Sequence, residues 1–186
     1  MLQLFGSFTS PFVRHCRIAL LEQELPFEMV ETDYLQSALG SPTKRVPFLK
    51  DKKLFLSDSL AILFEIRARA KRPVFRSSEE AETFCLATTL LDTGINLFLL
   101  SKEGLGPADS KYLERQTARM ESGFAALEDR IQKDGAWSDA TIRTACLLKW
   151  VNYRKRFDFS HLPHLTALHE QIEYDPLFQQ TAPPPL

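Results

Sequence analysis

The spacing of apolar residues changes once along this chain, near residue 70, and that change limits the folds open to it. Before it, short alternating segments are interleaved with helical ones. Leu2 and Leu4 sit at period two and define a first strand. Pro11–Glu24 then places Val13, Cys16 and Leu20 on one helical face. Phe27–Thr32 reads as a second strand, and Tyr34–Arg45 is polar and irregular, with room for one short helix at most. Val46–Lys50 and Lys53–Ser57 read as strands joined by Asp51 and Lys52 alone, a hairpin connection. Another helix begins at Leu60. The order strand, helix, strand, loop, strand, strand, helix predicts a mixed α/β unit over residues 1–70.

After Lys71, Arg72, Pro73 and Arg76, which mark residues 71–77 as a linker, only helical spacing remains. Ser77 and Glu80 have capping-box spacing. A long helix follows with Phe84, Leu91, Ile95 and Phe98 on its apolar side, until Gly104, Gly106 and Pro107 break it. A second helix, from about Asp109 to Lys133, carries Leu113, Met120, Phe124, Leu127 and Ile131 and ends at Gly135. A third runs from Ser138 to about Arg156, and a short one follows Pro163. The proline-rich Thr181–Leu186 reads as a loose tail. Residues 78–186 are therefore expected to form an all-helical bundle domain, giving an α/β plus all-α chain.

Composition narrows the function classes. The 186 residues hold 23 Lys plus Arg against 24 Asp plus Glu, a net charge of −1, which argues against a nucleic-acid binder. The three cysteines, Cys16, Cys85 and Cys146, are widely spaced and fit neither a disulfide framework nor a metal motif. A reducing, cytoplasmic setting is expected. No leader pattern opens the chain, and no uninterrupted apolar run reaches the ~18 residues of a membrane span.

Four local motifs line up in order. Thr9-Ser10-Pro11-Phe12-Val13-Arg14 runs into Arg17-Ile18-Ala19-Leu20-Leu21. Val46-Pro47-Phe48-Leu49 precedes the hairpin. Asp58-Ser59-Leu60-Ala61-Ile62 opens the helix after it. Trp137-Ser138 leads into Ile142-Arg143-Thr144-Ala145-Cys146. Together they resemble the serine-type glutathione transferases, particularly the plant tau class and related small bacterial proteins. The resemblance implies a thioredoxin-like N-terminal domain with a cis-proline at Pro47, and a C-terminal helical bundle. It also implies glutathione as substrate, no metal, an electrophilic or apolar co-substrate, and a homodimer. One departure is visible. Where the family usually has Asp three residues after the cap of the buried helix, this chain has Thr141.

Glutathione is an acidic tripeptide thiol, and its thiolate is the nucleophile. A free thiol has a pKa of ~8.5, and each unit of depression corresponds to ~1.4 kcal/mol of preference for the thiolate. A helix start with one hydroxyl donor supplies such a preference. Ser10 stands before Pro11, the residue favoured at the first helical position, so it falls at the N-cap. The first turn has no Asp or Glu and carries Arg14, which leaves the positive helix end open to an external anion. Plain helix capping by Ser10 is the competing reading, and Ser7 and Thr9 are competing hydroxyls.

The resemblance gives Ser10 the role of donor to the glutathione sulfur. It has Val46, turned by Pro47, pair with the cysteinyl backbone of glutathione. Asp58 and Ser59 open a helix that can take the γ-glutamyl end, Asp58 through the amine and Ser59 through the carboxylate. A cation at Lys44 or Arg45 would meet the glycine carboxylate, with Arg45 ranked slightly first. The cysteines read as core residues, and His161, His164 and His169 as surface or packing residues.

Conjugation of glutathione to an electrophile is the leading expectation. Thiol–disulfide exchange would need a cysteine where Ser10 stands. A non-catalytic binding or regulatory protein on the same fold is the remaining alternative.

Overall fold

The computed structural model describes residues 1–134 and 137–185. Gly135, read above as a helix end, and Leu186 lie outside the described residues. The described chain divides into two compact units, Met1–Arg76 together with the segment from Glu173 onward, and Ser77–Ile172.

The first unit is built on four strands in the order β2-β1-β3-β4. These are β1 (Leu2–Gly6), β2 (Phe27–Glu31), β3 (Phe48–Asp51) and β4 (Leu54–Leu56). β1 pairs parallel with β2 and antiparallel with β3, and β3 pairs antiparallel with β4. The helices are α1 (Pro11–Glu22), α2 (Tyr34–Gly40) and α3 (Ser59–Arg69). Leu2 and Leu4 are buried while Gln3 and Phe5 are only half-buried, the alternation expected of a sheet strand. Val13, Cys16 and Leu20 of α1 are fully buried, as are Ile62, Leu63 and Ile66 of α3, and the two helices pack together. The Val46–Pro47 peptide is cis, as the resemblance implies. The strand expected from Val46 begins two residues later, at Phe48, because Pro47 has no N–H to donate to a ladder.

The second unit contains α4 (Ser78–Lys102), a 3-10 turn at Pro107–Asp109, α5 (Lys111–Asp134), α6 (Asp139–Arg154) and α7 (Pro163–Gln171). α4 packs against both α5 and α6. By length and composition α4 could cross a membrane. Here its Phe84, Ala87, Leu90 and Leu91 are buried within the bundle. The Ser77 Oγ accepts the Glu80 N–H at 3.2 Å, as the capping-box spacing predicts. Arg143 of α6 is fully buried, with its guanidinium 4.5 Å from the centre of the Phe84 ring. At the start of α6 the Ser138 Oγ accepts the Thr141 N–H, and the two hydroxyls lie 3.2 Å apart. A hydroxyl contact thus stands where an acidic residue would complete the capping box.

The expected loose tail, Thr181–Leu186, is anchored at its first residue, and a short helix stands ahead of it. Asp175 caps α8 (Pro176–Gln180) by accepting the Phe178 N–H at 3.0 Å, and α8 packs on α1. Thr181 is fully buried. The physical reason is a pair of α1 arginines that take the carbonyls at the end of α8.

Candidate functional site

Sheet register gathers the sequence-identified residues at one edge of the first unit. β1 runs toward this edge and ends at Gly6, and the Ser7–Ser10 turn follows. Phe5 pairs with Phe48, so antiparallel β3 starts at the same edge, immediately after Val46 and Pro47. Leu56 pairs with Leu49, so β4 returns to that edge and delivers Asp58 and Ser59. α1 and α3 therefore both begin there, and neither has an acidic residue in its first turn. Two positive helix ends at one sheet edge suit an anionic ligand.

Ser10 is the N-cap of α1, in extended conformation, with Pro11 at the first helical position. Its Oγ accepts the Val13 N–H at 3.4 Å, a long contact. Capping uses Ser10 as an acceptor, so its hydroxyl proton remains to be donated, and Ser10 has no further partner among the described residues. The competing hydroxyls are already engaged. Ser7 Oγ and Thr9 Oγ1 lie 3.0 Å apart, and Ser7 Oγ also accepts the Thr9 N–H at 3.3 Å. The Ser10 N–H donates to the Ser7 carbonyl at 3.1 Å, fixing the turn.

Asp58 is the N-cap of α3. Its Oδ1 accepts the Leu60 N–H at 2.7 Å, while the side chain as a whole is exposed. Ser59, the first residue of α3, is 7% exposed. Val46 is half-buried and Pro47 buried, whereas Lys44 and Arg45 are both exposed beside them. Lys44 is in left-handed conformation, with φ 53°.

The Arg14 side chain turns toward α8. Its Nη2 donates to the Phe178 carbonyl at 2.6 Å, its Nε to Thr181 Oγ1 at 3.3 Å, and its guanidinium lies 4.9 Å from the Phe178 ring centre. Arg17 donates to the Thr181 and Gln180 carbonyls at 3.2 and 3.4 Å, and stacks 4.8 Å from the ring centre of Phe8. Burial, and then the neighbouring Arg14 charge, draws the Arg17 pKa below its ordinary value. Sequence reasoning missed this pair of contacts. The available signal was Asp175-Pro176, an N-cap followed by proline at the first helical position, which marks a helix just ahead of the supposed tail.

Cys16 and Cys146 are buried, as expected of core cysteines, and the Cys16 thiol faces the Ser59 carbonyl at 3.9 Å. Cys85 is exposed on α4 and is not a core residue. Of the histidines, His164 Nδ1 lies 2.5 Å from Glu128 Oε1, and His169 packs edge-on against Phe159. Among the described residues no group of His, Cys, Asp or Glu is placed to hold a metal ion.

Residues 4–73 match the family model described as glutathione S-transferase, N-terminal domain. The uncharacterized GST-like protein YibF of Escherichia coli (strain K12) is 28% identical over 98% of this chain and 99% of its own length. A probable maleylacetoacetate isomerase of Vibrio cholerae is 24% identical over 97% of this chain and 94% of its own. Among solved structures, a glutathione S-transferase of Methylobacillus flagellatus KT with glutathione bound has a TM-score of 0.88 at 22% identity, covering 99% of this chain and 100% of that one. A glutathione transferase family member of Pseudomonas fluorescens Pf-5, with bound S-(propanoic acid)-glutathione, has a TM-score of 0.83 at 22% identity, with the same coverage of both chains. Residues 4–73 thus carry a glutathione S-transferase N-terminal domain, and the chain over its whole length has the fold of these proteins.

Proposed function

We propose that this chain binds reduced glutathione at the sheet edge where α1 and α3 begin, and transfers it to an electrophilic, apolar co-substrate. The observation that carries this reading is the convergence of Ser10, Val46 and Ser59 at that edge, with the Ser10 hydroxyl proton uncommitted. In this reading Ser10 donates to the sulfur and, with the α1 helix end, favours the thiolate. Val46 offers its backbone N–H and carbonyl to the cysteinyl residue. Ser59 and the start of α3 take the γ-glutamyl carboxylate, and the free oxygen of Asp58 takes the amine. Arg45, ahead of Lys44, meets the glycine carboxylate. The thiolate then forms a carbon–sulfur bond as the electrophile loses its leaving group, and the thiol proton passes to solvent. Positioning and electrostatics at the sulfur do most of the work. Glutathione bound in proteins of the same fold supports the ligand.

Calorimetric titration with reduced glutathione tests the reading. Wild type should bind, and Ser59→Ala should lose about tenfold or more in affinity, the cost of an unmet carboxylate. Ser10→Ala should still bind, but with the bound thiol titrating about one to two units higher. No heat and no competition at millimolar glutathione would sink the reading and favour a regulatory relative. The isomerase named among the relatives favours a second reading, isomerisation. Product analysis separates the two, because conjugation consumes glutathione and isomerisation returns it.

A further inference from the structure

We infer that the C-terminal segment from Glu173 onward is a working part of the proposed thiolate site, and that Arg14 and Arg17 are positioning residues for Ser10. The inference rests on the reading of Ser10 given above. α1 is the helix whose start carries Ser10, and the Arg14 backbone N–H donates to the Ser10 carbonyl at 3.0 Å, closing the first turn. From that turn the Arg14 side chain, 7% exposed, reaches Thr181 and the Phe178 carbonyl. One helical turn on, Arg17 spans two segments. Its guanidinium rests on Phe8, in the turn that holds Ser7, Thr9 and Ser10, while its N–H groups take the Gln180 and Thr181 carbonyls. The end of α8 supplies the partial negative charge that these cations cap. Thr181 is itself locked, with its hydroxyl donating to the Leu177 carbonyl at 2.7 Å.

Two consequences follow for Ser10. First, the Phe8 contact ties the Ser10 turn to the C-terminal segment through one rigid guanidinium, which restricts the cap to one geometry. Second, docking holds two cations on the first turns of α1, partly removed from water, where their fields reach an anion at the helix start with less screening. Among the carboxylates of the neighbouring elements, Glu22 pairs with Arg67 of α3, Asp58 caps α3, and Asp175 caps α8. Arg17 has no carboxylate within ion-pair distance among the described residues.

The test uses full-length Arg17→Met, which keeps the stem over Phe8, Arg17→Lys, and Thr181→Val, which keeps the shape of a locked side chain. Three quantities are read for each: glutathione affinity by calorimetry, titration of the bound thiol by thiolate absorbance, and the thermal midpoint. The expected result for Arg17→Met is a bound-thiol titration raised by about half a unit to one unit, affinity lowered several-fold, and partial rescue by lysine. Thr181→Val should shift the titration in the same direction by less. A lowered thermal midpoint in Arg17→Met with affinity and thiol titration unchanged would overturn the inference and leave the segment a structural brace. A wild type that binds glutathione with an undepressed thiol, unaltered in Ser10→Ala, removes the Ser10 reading itself and this inference with it.

Discussion

At the scale of single residues, the site depends on hydroxyl bookkeeping within one short turn. Three candidates stand at Ser7, Thr9 and Ser10, and geometry separates them. Ser7 and Thr9 bond each other and so spend one of their two hydroxyl protons, while Ser10 accepts one long bond and keeps its proton. Gly6 is what lets this turn come so close to the helix. A Cβ at Gly6 would overlap both γ-methyl groups of Val13, a β-branched side chain that strongly prefers one rotamer in a helix. Gly6→Ala should therefore destabilise the protein by about 1–3 kcal/mol in urea unfolding. Val13→Ala removes the overlapping methyls, so the Gly6→Ala/Val13→Ala double variant should be less destabilised than the sum of the singles. Strict additivity would place the cause elsewhere. Val13 is also the residue whose N–H Ser10 caps, so the same overlap displaces the cap, and Gly6→Ala should weaken glutathione binding as well.

At the scale of elements, helix ends decide more than helix interiors. α7 begins at Pro163 with no cap of its own, and Glu128 of α5 supplies one by accepting the His164 and Leu165 N–H groups at 2.8 and 3.0 Å. Burial raises the Glu128 pKa, but these two backbone bonds and His164 outweigh it and hold the carboxyl below its ordinary value. A carboxyl depressed in the folded state contributes fully above its unfolded pKa of ~4.3, and the contribution is lost as pH falls through the lower folded value. Glu128→Gln should thus cost about 1–2 kcal/mol at neutral pH. The gap from wild type should close in acid, as thermal melts at stepped pH would record. A constant gap from neutral pH to pH 3 would mean that packing, not charge, holds α7. These ends also mark what the sequence could reveal. The Ser10, Asp58, Ser77 and Ser138 caps were legible because donor and acceptor lie two or three residues apart. The start of α3 and the hairpin followed from the same local chemistry. Glu128 and α7 are 36 residues apart, and Arg14 and Thr181 are 167 apart. No periodicity encodes such partners, so Arg14 reads only as a residue of the first turn of α1 and Thr181 as part of a loose tail.

At the scale of the whole molecule, the chain leaves the first unit at Arg76, builds the helical unit, and returns at Glu173 to finish the first. The α/β unit is therefore discontinuous in sequence, and its last piece is not available until the helical unit has been made. Hydrogen bonds from both Arg14 and Arg17 join α1 to that piece. Each bond to a charged donor contributes about 1.5–3 kcal/mol, and leaving a buried guanidinium without its acceptors costs at least as much. A chain ending at Ile172 should lose a large share of the stability of its α/β unit, against the ~5–15 kcal/mol typical of a whole domain. The helical unit has its own core in Phe84, Leu91, Phe124 and Ile142 and keeps every one of those residues. Hydrogen exchange should accordingly show protection falling in α1 and β1 of the shortened chain while the α4, α5 and α6 amides stay protected. Equal loss in both units would mean that they unfold as one cooperative body. Retained protection in α1 would mean that water satisfies the two arginines as well as α8 does, and that the final segment does not hold the helix bearing Ser10.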